Sequence, residues 1–301
     1  MLDNEFACKP ASKWLTGHTV IYSCAAFDLL CFRPANDKGP SIVNRPPEAG
    51  HGPDIVDFDF NQSVVQVQLD NTLGGVYVMA HKAANFLRTM EGISTIVKHV
   101  ERAIYEVNDG PVHLVGFCQG GWVSALAATE YPHLVSELTI VATPIDTSFE
   151  GDLTPQGKIP LSMYAASIAM QGGLMRGYTM GKTWEYPNKK EHAAARKLPE
   201  NKRFYQWYDT YQDISGLWVY EAADMIFCNN RLPKMLKILC PTNVIVGKKD
   251  KTTPAKQSIA IQNNCVHKVR VFRSAGGHLG AIMGRQVIAK VWPELLKGAS
   301  L

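Results

Sequence analysis

The segment His113–Trp122, HLVGFCQGGW, decides the fold. Val112–Val115 is a short apolar run suited to a strand buried on both faces. Gly120–Ala128 returns to a helical pattern. Between them stands Gly116-Phe117-Cys118-Gln119-Gly120, a nucleophilic side chain flanked on each side by a glycine. A strand that turns directly into a helix makes a tight bend. A side chain at either flank would collide with neighbouring backbone, so small residues are needed at 116 and 120. The helix aims N–H groups and the positive end of its dipole at residue 118, which favours a thiolate and offers the Gln119 N–H to a developing oxyanion.

The pentapeptide alone also fits a buried structural cysteine in a glycine-rich turn, so its surroundings must decide. Within Gly92–Val107 the apolar residues Ile93, Ile96, Val97, Val100, Ala103, Ile104 and Val107 recur at helical spacing, and Asn108-Asp109-Gly110 stops the helix. Val76–Met79, Leu138–Ala142, Asn243–Val246 and Val269–Phe272 are further strands. Ala26–Arg33 and Ser41–Arg45, separated by a turn at Ala35–Pro40, are expected to form a hairpin. Met283–Leu296 is expected as a closing helix with Pro293 as a boundary or kink. This alternation predicts an α/β protein with a mostly parallel central sheet and helices on both faces. From Ile145 to Leu232 the alternation lapses into a stretch rich in Met and aromatic residues, among them Met163, Met170, Met175, Met180, Trp184, Trp207, Tyr208, Tyr211 and Trp218. A core of residues 1–144 and 233–301 with a helical cap inserted at 145–232 is the expected organisation. The cap's apolar side chains either line an acyl channel or simply pack its interior.

In the α/β-hydrolase fold a nucleophile, an acid and a histidine follow one another along the chain, each after a strand. The strand Asn243–Val246 is followed by GKKDKTTP, which carries Asp250, and Val269–Phe272 by SAGGHLG, which carries His278. Of nine histidines, His278 is the one just after the last expected strand. It would take the proton of Cys118 and pass it on, while Asp250 would fix the ring tautomer and stabilise the imidazolium. A second oxyanion donor is expected from the loop Arg45–Gly52, RPPEAGHG. Its prolines have no N–H to give, which leaves Glu48 or Ala49, with His51-Gly52 as a rival alignment.

Composition excludes several classes. The 31 basic and 27 acidic residues give a net charge of +4 without a basic stripe, which argues against nucleic acid as a partner. The longest apolar stretch, Val20–Phe32, is short and interrupted by Ser23 and Asp28, so no membrane span is expected. The opening MLDNEFACKP starts acidic and lacks the apolar core of a signal peptide. Seven scattered cysteines without a CxxC pair argue against a disulfide framework and for a reducing cytoplasm. With no HExxH or comparable cluster, neither a metal nor a cofactor is expected.

GFCQGG around Cys118, GKKDKTTP around Asp250 and GGHLGAIMGR around His278 resemble the poly(3-hydroxyalkanoate) synthases, their synthase-like relatives and the cysteine-dependent intracellular depolymerases. Pro46-Pro47 and TYQDISG at Thr210–Gly216 also fit, and the resemblance runs from about Asp28 to Leu296. It implies a Cys-Asp-His triad at Cys118, Asp250 and His278, and an acyl-cysteine intermediate formed from a 3-hydroxyacyl thioester or polyester. The chain is shorter than such synthases, its PPEAGHG loop departs from theirs, and its insertion is compact. Hydrolysis of a short-chain 3-hydroxyalkanoate ester or thioester is therefore the leading expectation. Polymerising acyl transfer from 3-hydroxyacyl-CoA is the alternative. A non-catalytic granule-associated binding protein is a third reading, which the complete triad disfavours. The partners considered are a small acyl ester, thioester or polyester oligomer, a polyester granule surface, and a second copy of the chain.

Overall fold

The computed structural model describes residues 14–151, 154–185 and 189–298. The opening MLDNEFACKP, expected not to be a signal peptide, lies outside the described residues, as does Cys8; the other six cysteines are free thiols.

Among the described residues the strands are β1 (Thr19–Ser23), β2 (Phe27–Arg33), β3 (Ile42–Arg45), β4 (Val76–His81), β5 (Val112–Phe117), β6 (Val135–Val141), the two-residue β7 (Leu174–Met175) and β8 (Ile214–Ser215), β9 (Thr242–Gly247) and β10 (Arg270–Ser274). Eight of them form one sheet in the order β1-β2-β4-β3-β5-β6-β9-β10. β2 is antiparallel to β1 and β4, and every later pairing in the sheet is parallel. The fold class expected from the sequence is the one found.

Successive residues of the central strands enter opposite cores, as the two-residue period of a strand requires. Val43, Tyr77, Met79 and Leu114 join one apolar cluster, whereas Ile42, Val76, Val78 and Val115 join the other. The first cluster is covered by α2 (Ile93–Val107) and α3 (Gln119–Glu130), the second by α1 (Val64–Asn71) and the C-terminal helices. In α2, Ile96, Val97, Val100, Ala103, Ile104 and Val107 are buried. Asn108 ends the helix in the left-handed region at φ 54°, where asparagine is tolerated. Each large aliphatic side chain so buried contributes roughly 1.5–3 kcal/mol.

Two expectations are corrected. The hairpin is β1–β2, joined across Ser23–Phe27, and not β2 with β3. β3 instead lies between β4 and β5, parallel to both; all four of its residues are buried, which suits an interior slot rather than an edge hairpin. The closing helix has a different start. A separate helix at His278–Met283 ends at Gly284, and the chain is then helical without a break from 285 to 298, through a π-helical stretch at Val287–Val291 and an α-helix at Trp292–Lys297. Pro293 lies inside this run, just past the π-helical stretch, where the hydrogen-bond pattern changes.

Between β6 and β9 the chain is mainly helical: α4 (Leu161–Met170), α5 (Gly177–Glu185), α6 (Lys189–Ala195), α7 (Lys202–Tyr208) and α8 (Gly216–Ala222). The antiparallel pair β7–β8 ties the early and late parts of this stretch together. Trp218 of α8 stacks on Trp122 of α3 with ring centroids 5.7 Å apart. Trp207 donates its indole N–H to the Gly52 carbonyl, and the Gln212 N–H reaches the Gly50 carbonyl. The helical stretch is thus seated on the elbow helix and on the loop after β3.

Candidate active site

Cys118 lies between β5 and α3 with φ 48° and ψ −112°. A non-glycine residue in that region is strained by about 1–3 kcal/mol and needs outside restraint. The restraint is backbone: the Cys118 N–H donates to the Val141 carbonyl at 2.8 Å, and its carbonyl accepts from the Gly121 N–H at 3.0 Å. The glycines have the role their spacing predicts. A Cβ on Gly116 would lie 2.5 Å from the Gly120 carbonyl oxygen, and one on Gly120 would lie 2.2 Å from the Arg45 carbonyl oxygen. Gly121 is as crowded, since its Cβ would fall 1.9 Å from Thr143 Oγ1. The doubled glycine of CQGG was the available signal for it.

The acid and the histidine arrive on two loops packed backbone to backbone. β9 and β10 end in register at Gly247 and Ser274. Beyond them the Lys248 N–H donates to Ser274 and the Lys249 N–H to Gly276. A Cβ on Gly247 would stand 2.7 Å from the Gly276 oxygen and 2.8 Å from that of Gly277. Asp250 is held by its own backbone, with Oδ1 accepting the Thr253 N–H at 2.8 Å, and presents Oδ2 to His278 Nδ1 at 2.9 Å. His278 is not in the glycine loop itself but is the first residue of the helix that follows it.

His278 also lies close enough to the Cys118 sulfur for the two to interact electrostatically. Burial opposes a charge on the ring, but the neighbouring Cys118 sulfur and the Asp250 carboxylate outweigh it and push the His278 pKa up from 6.5 to about 10. A ring so placed favours holding a proton between the sulfur and the carboxylate, the arrangement that base-assisted thiol chemistry requires. The Asp250 side chain is fully enclosed and the His278 side chain is 17% exposed, which leaves the ring reachable from one side.

Gln119, the residue after Cys118, opens onto a largely apolar cavity of about 280 Å³, whose wall does not include Cys118, Asp250 or His278. Gln119, Glu48 and Ala49 stand in its wall, together with Met163, Met175, Met180, Trp184 and Trp218. Gln119 is the first residue of α3, so its N–H has no acceptor within the helix. Among the described residues the backbone N–H groups of Glu48 and Ala49 donate to nothing either. The six residues singled out in the sequence thus fall into two sets, Cys118 with Asp250 and His278, and Gln119 with Glu48 and Ala49, which meet where Cys118 precedes Gln119. The aromatic and Met residues of the insertion divide between the two roles considered for them. Those just named line the cavity, whereas Trp207, Tyr208 and Tyr211 surround His51 and Met170 faces solvent.

Of the two alignments considered, Glu48 and Ala49 stand in the cavity wall, and His51 and Gly52 do not. His51 is enclosed by these rings, with its centroid 4.4 Å from that of Tyr208, and burial drops its pKa to about 4. The buried Arg45–Glu48 ion pair left no local trace to read, because a charged residue at a strand end or on a loop is usually solvated.

A family model described as the alpha/beta hydrolase fold matches residues 58–161, the part that contains the elbow. Solved structures share the architecture over nearly the whole chain. Mouse alpha/beta hydrolase domain-containing protein 10 is 17% identical, with a TM-score of 0.55 over 93% of this chain and 95% of that one. An esterase from Exiguobacterium antarcticum is 15% identical, with a TM-score of 0.58 over 95% and 100%. A monoacylglycerol lipase from Paleococcus ferrophilus is 14% identical, with a TM-score of 0.57 over 86% and 96%. No functionally curated protein sequence matches. The chain has the α/β-hydrolase fold.

Proposed function

We propose that this protein is an acyl hydrolase that cleaves short-chain 3-hydroxyalkanoate esters or thioesters through an acyl-cysteine intermediate. The observation that carries the reading is His278, hydrogen-bonded to Asp250 and electrostatically coupled to Cys118, which stands at a strained strand–helix turn. The Cys118 thiolate attacks the acyl carbonyl. The oxyanion that forms is taken by the N–H of Gln119 and by that of Glu48 or Ala49, and His278 protonates the departing alkoxide or thiolate. Once neutral, His278 removes a proton from water, which attacks the thioester carbonyl and releases the acid. Asp250 keeps the His278 Nδ1–H pointed at itself, so Nε2 handles every transfer. The similarity to an esterase and a lipase structure is in keeping with this reading, and the cavity is of a size for a short acyl chain.

The cavity's Met and Trp walls also favour a second reading, transfer of the acyl group to a 3-hydroxyacyl acceptor, because apolar walls exclude water. The cap organisation, a granule surface as partner and a cytoplasmic setting belong to the same reading of the chain. Among the described residues no helix is long and apolar enough to cross a membrane.

The test is to incubate the protein with a 3-hydroxybutyryl thioester and with 3-hydroxybutyrate oligomers, beside Cys118→Ala. Release of free acid and a wild-type acyl adduct by mass spectrometry are expected, both absent in the variant. Chain growth would move the assignment to transfer, and full activity in Cys118→Ala would remove the nucleophile.

A further inference from the structure

We infer that the buried Arg45–Glu48 ion pair holds the second oxyanion donor in position, which makes Arg45 and Glu48 positioning residues for the chemistry at Cys118. The inference rests on the acyl-transfer reading above.

Arg45 is the last residue of β3 and pairs in register with Gly116 of the elbow. The carbonyls of Arg45 and Pro46 press on Gly120 so closely that a Cβ there would lie 2.2 and 2.6 Å from them. The loop therefore leaves the sheet in van der Waals contact with the helix that carries Gln119. Two prolines stiffen the next step, and then the chain bends so that Glu48 returns to the Arg45 guanidinium. The same guanidinium donates to the Pro46 carbonyl at 3.2 Å. A third pin follows at His51, whose carbonyl lies 3.2 Å from His81 Nε2; a carbonyl only accepts, so that nitrogen carries the proton. Between these pins lie the N–H groups of Glu48 and Ala49, which donate to nothing among the described residues; both residues share one cavity wall with Gln119.

The cost of this arrangement points to its purpose. The Arg45 and Glu48 side chains are 4% and 8% exposed. A buried ion pair adds little stability over apolar residues of the same size, but it fixes distance and direction as a pair of methyl groups cannot. A donor displaced by about 1 Å from a developing oxyanion can cost on the order of 100-fold in rate.

The experiment compares wild type, Glu48→Gln and Arg45→Lys. For each, kcat and KM are measured on a 3-hydroxybutyryl thioester, together with the rate of Cys118 alkylation by iodoacetamide, which needs the thiolate but no oxyanion donor. Glu48→Gln keeps the backbone N–H and nearly the size while removing the charge, and kcat is expected to fall about 10- to 100-fold. KM and the alkylation rate should stay within about twofold. Arg45→Lys keeps the charge without the planar fork and should fall between the two; if Glu48→Gln does not give a cooperative melt, Arg45→Lys decides alone. An unchanged kcat, or an alkylation rate that falls in step with kcat, overturns the positioning role. A wild type that neither turns over nor acylates overturns the function proposed above as well, so the two failures are distinguishable.

Discussion

Two enclosed histidines flank the site and are driven in opposite directions. His278 stands between a carboxylate and a sulfur, and its pKa rises to about 10; His51 stands among aromatic rings, and its pKa falls to about 4. Burial disfavours the cation at both positions, so what separates them is the charge of the neighbours. The region around His278 is built from glycine loops in backbone contact and ends in an ion pair. The region around His51 is built from the rings of the helical insertion, and the pull of Glu185 on the ring is outweighed by burial. One is suited to moving protons, the other to seating the insertion on the core.

The largest expected effect breaks the first half of that contrast. His278→Gln should lower the rate of acylation by about 1,000-fold, because no other group can take the proton or protonate the leaving atom. Stability should change with a definite sign. The folded protein binds the His278 proton more tightly than the unfolded chain does. The stabilisation is therefore complete below about pH 6.5 and is lost as pH rises through about 10. Melting wild type and variant at pH 6, 8 and 10 should show the gap between them closing. A gap that widens with pH would mean that the ring is not held as a cation.

Next comes the other half. With a pKa lowered from 6.5 to about 4, His51 takes its proton in the unfolded chain before it does so in the folded one. Wild-type stability should thus fall as pH drops from about 6.5 toward 4, by on the order of 3 kcal/mol from this group. His51→Phe keeps a ring in the Trp207–Tyr208–Tyr211 cluster and removes the titration. Denaturant curves at pH 7 and pH 4.5 should show a smaller acid loss in the variant, and equal losses would assign the acid sensitivity elsewhere.

The two regions also differ in how far they could be read from the sequence. Cys118, Asp250 and His278 each follow a strand that local pattern reveals, and glycines marked the places where backbone meets backbone at 116, 120 and 247. Those are short-range constraints, and they leave a trace at the residue itself. The place of β3 beside β4 and β5 depends on partners more than thirty residues away, so a local turn signal at Ala35–Pro40 suggested the wrong hairpin. The helix His278–Met283 was hidden because it is only six residues long and lies between glycines 277 and 284, which read locally as a loop. In the insertion the same Met and aromatic alphabet serves both a cavity wall and a docking cluster, and only the three-dimensional path separates Met163 and Trp184 from Trp207 and Tyr208.

The smallest effect tests whether that separation has a functional meaning. Met163 lines the cavity and is 61% exposed, which places it at the rim rather than in the packed interior. Met163→Trp should therefore leave the melting temperature within about 1 °C, since an exposed side chain away from special features carries little stability. Added bulk at the rim narrows the space for an acyl chain. The kcat/KM for a longer 3-hydroxyacyl thioester should fall roughly three- to tenfold, while that for the 3-hydroxybutyryl thioester stays within about twofold. The reactivity of Cys118 toward iodoacetamide should not change, because the His278–Asp250 pair is untouched. If both substrates decline equally, the insertion does not select the acyl chain. Its role would then reduce to the one His51 already displays, packing against the loop after β3.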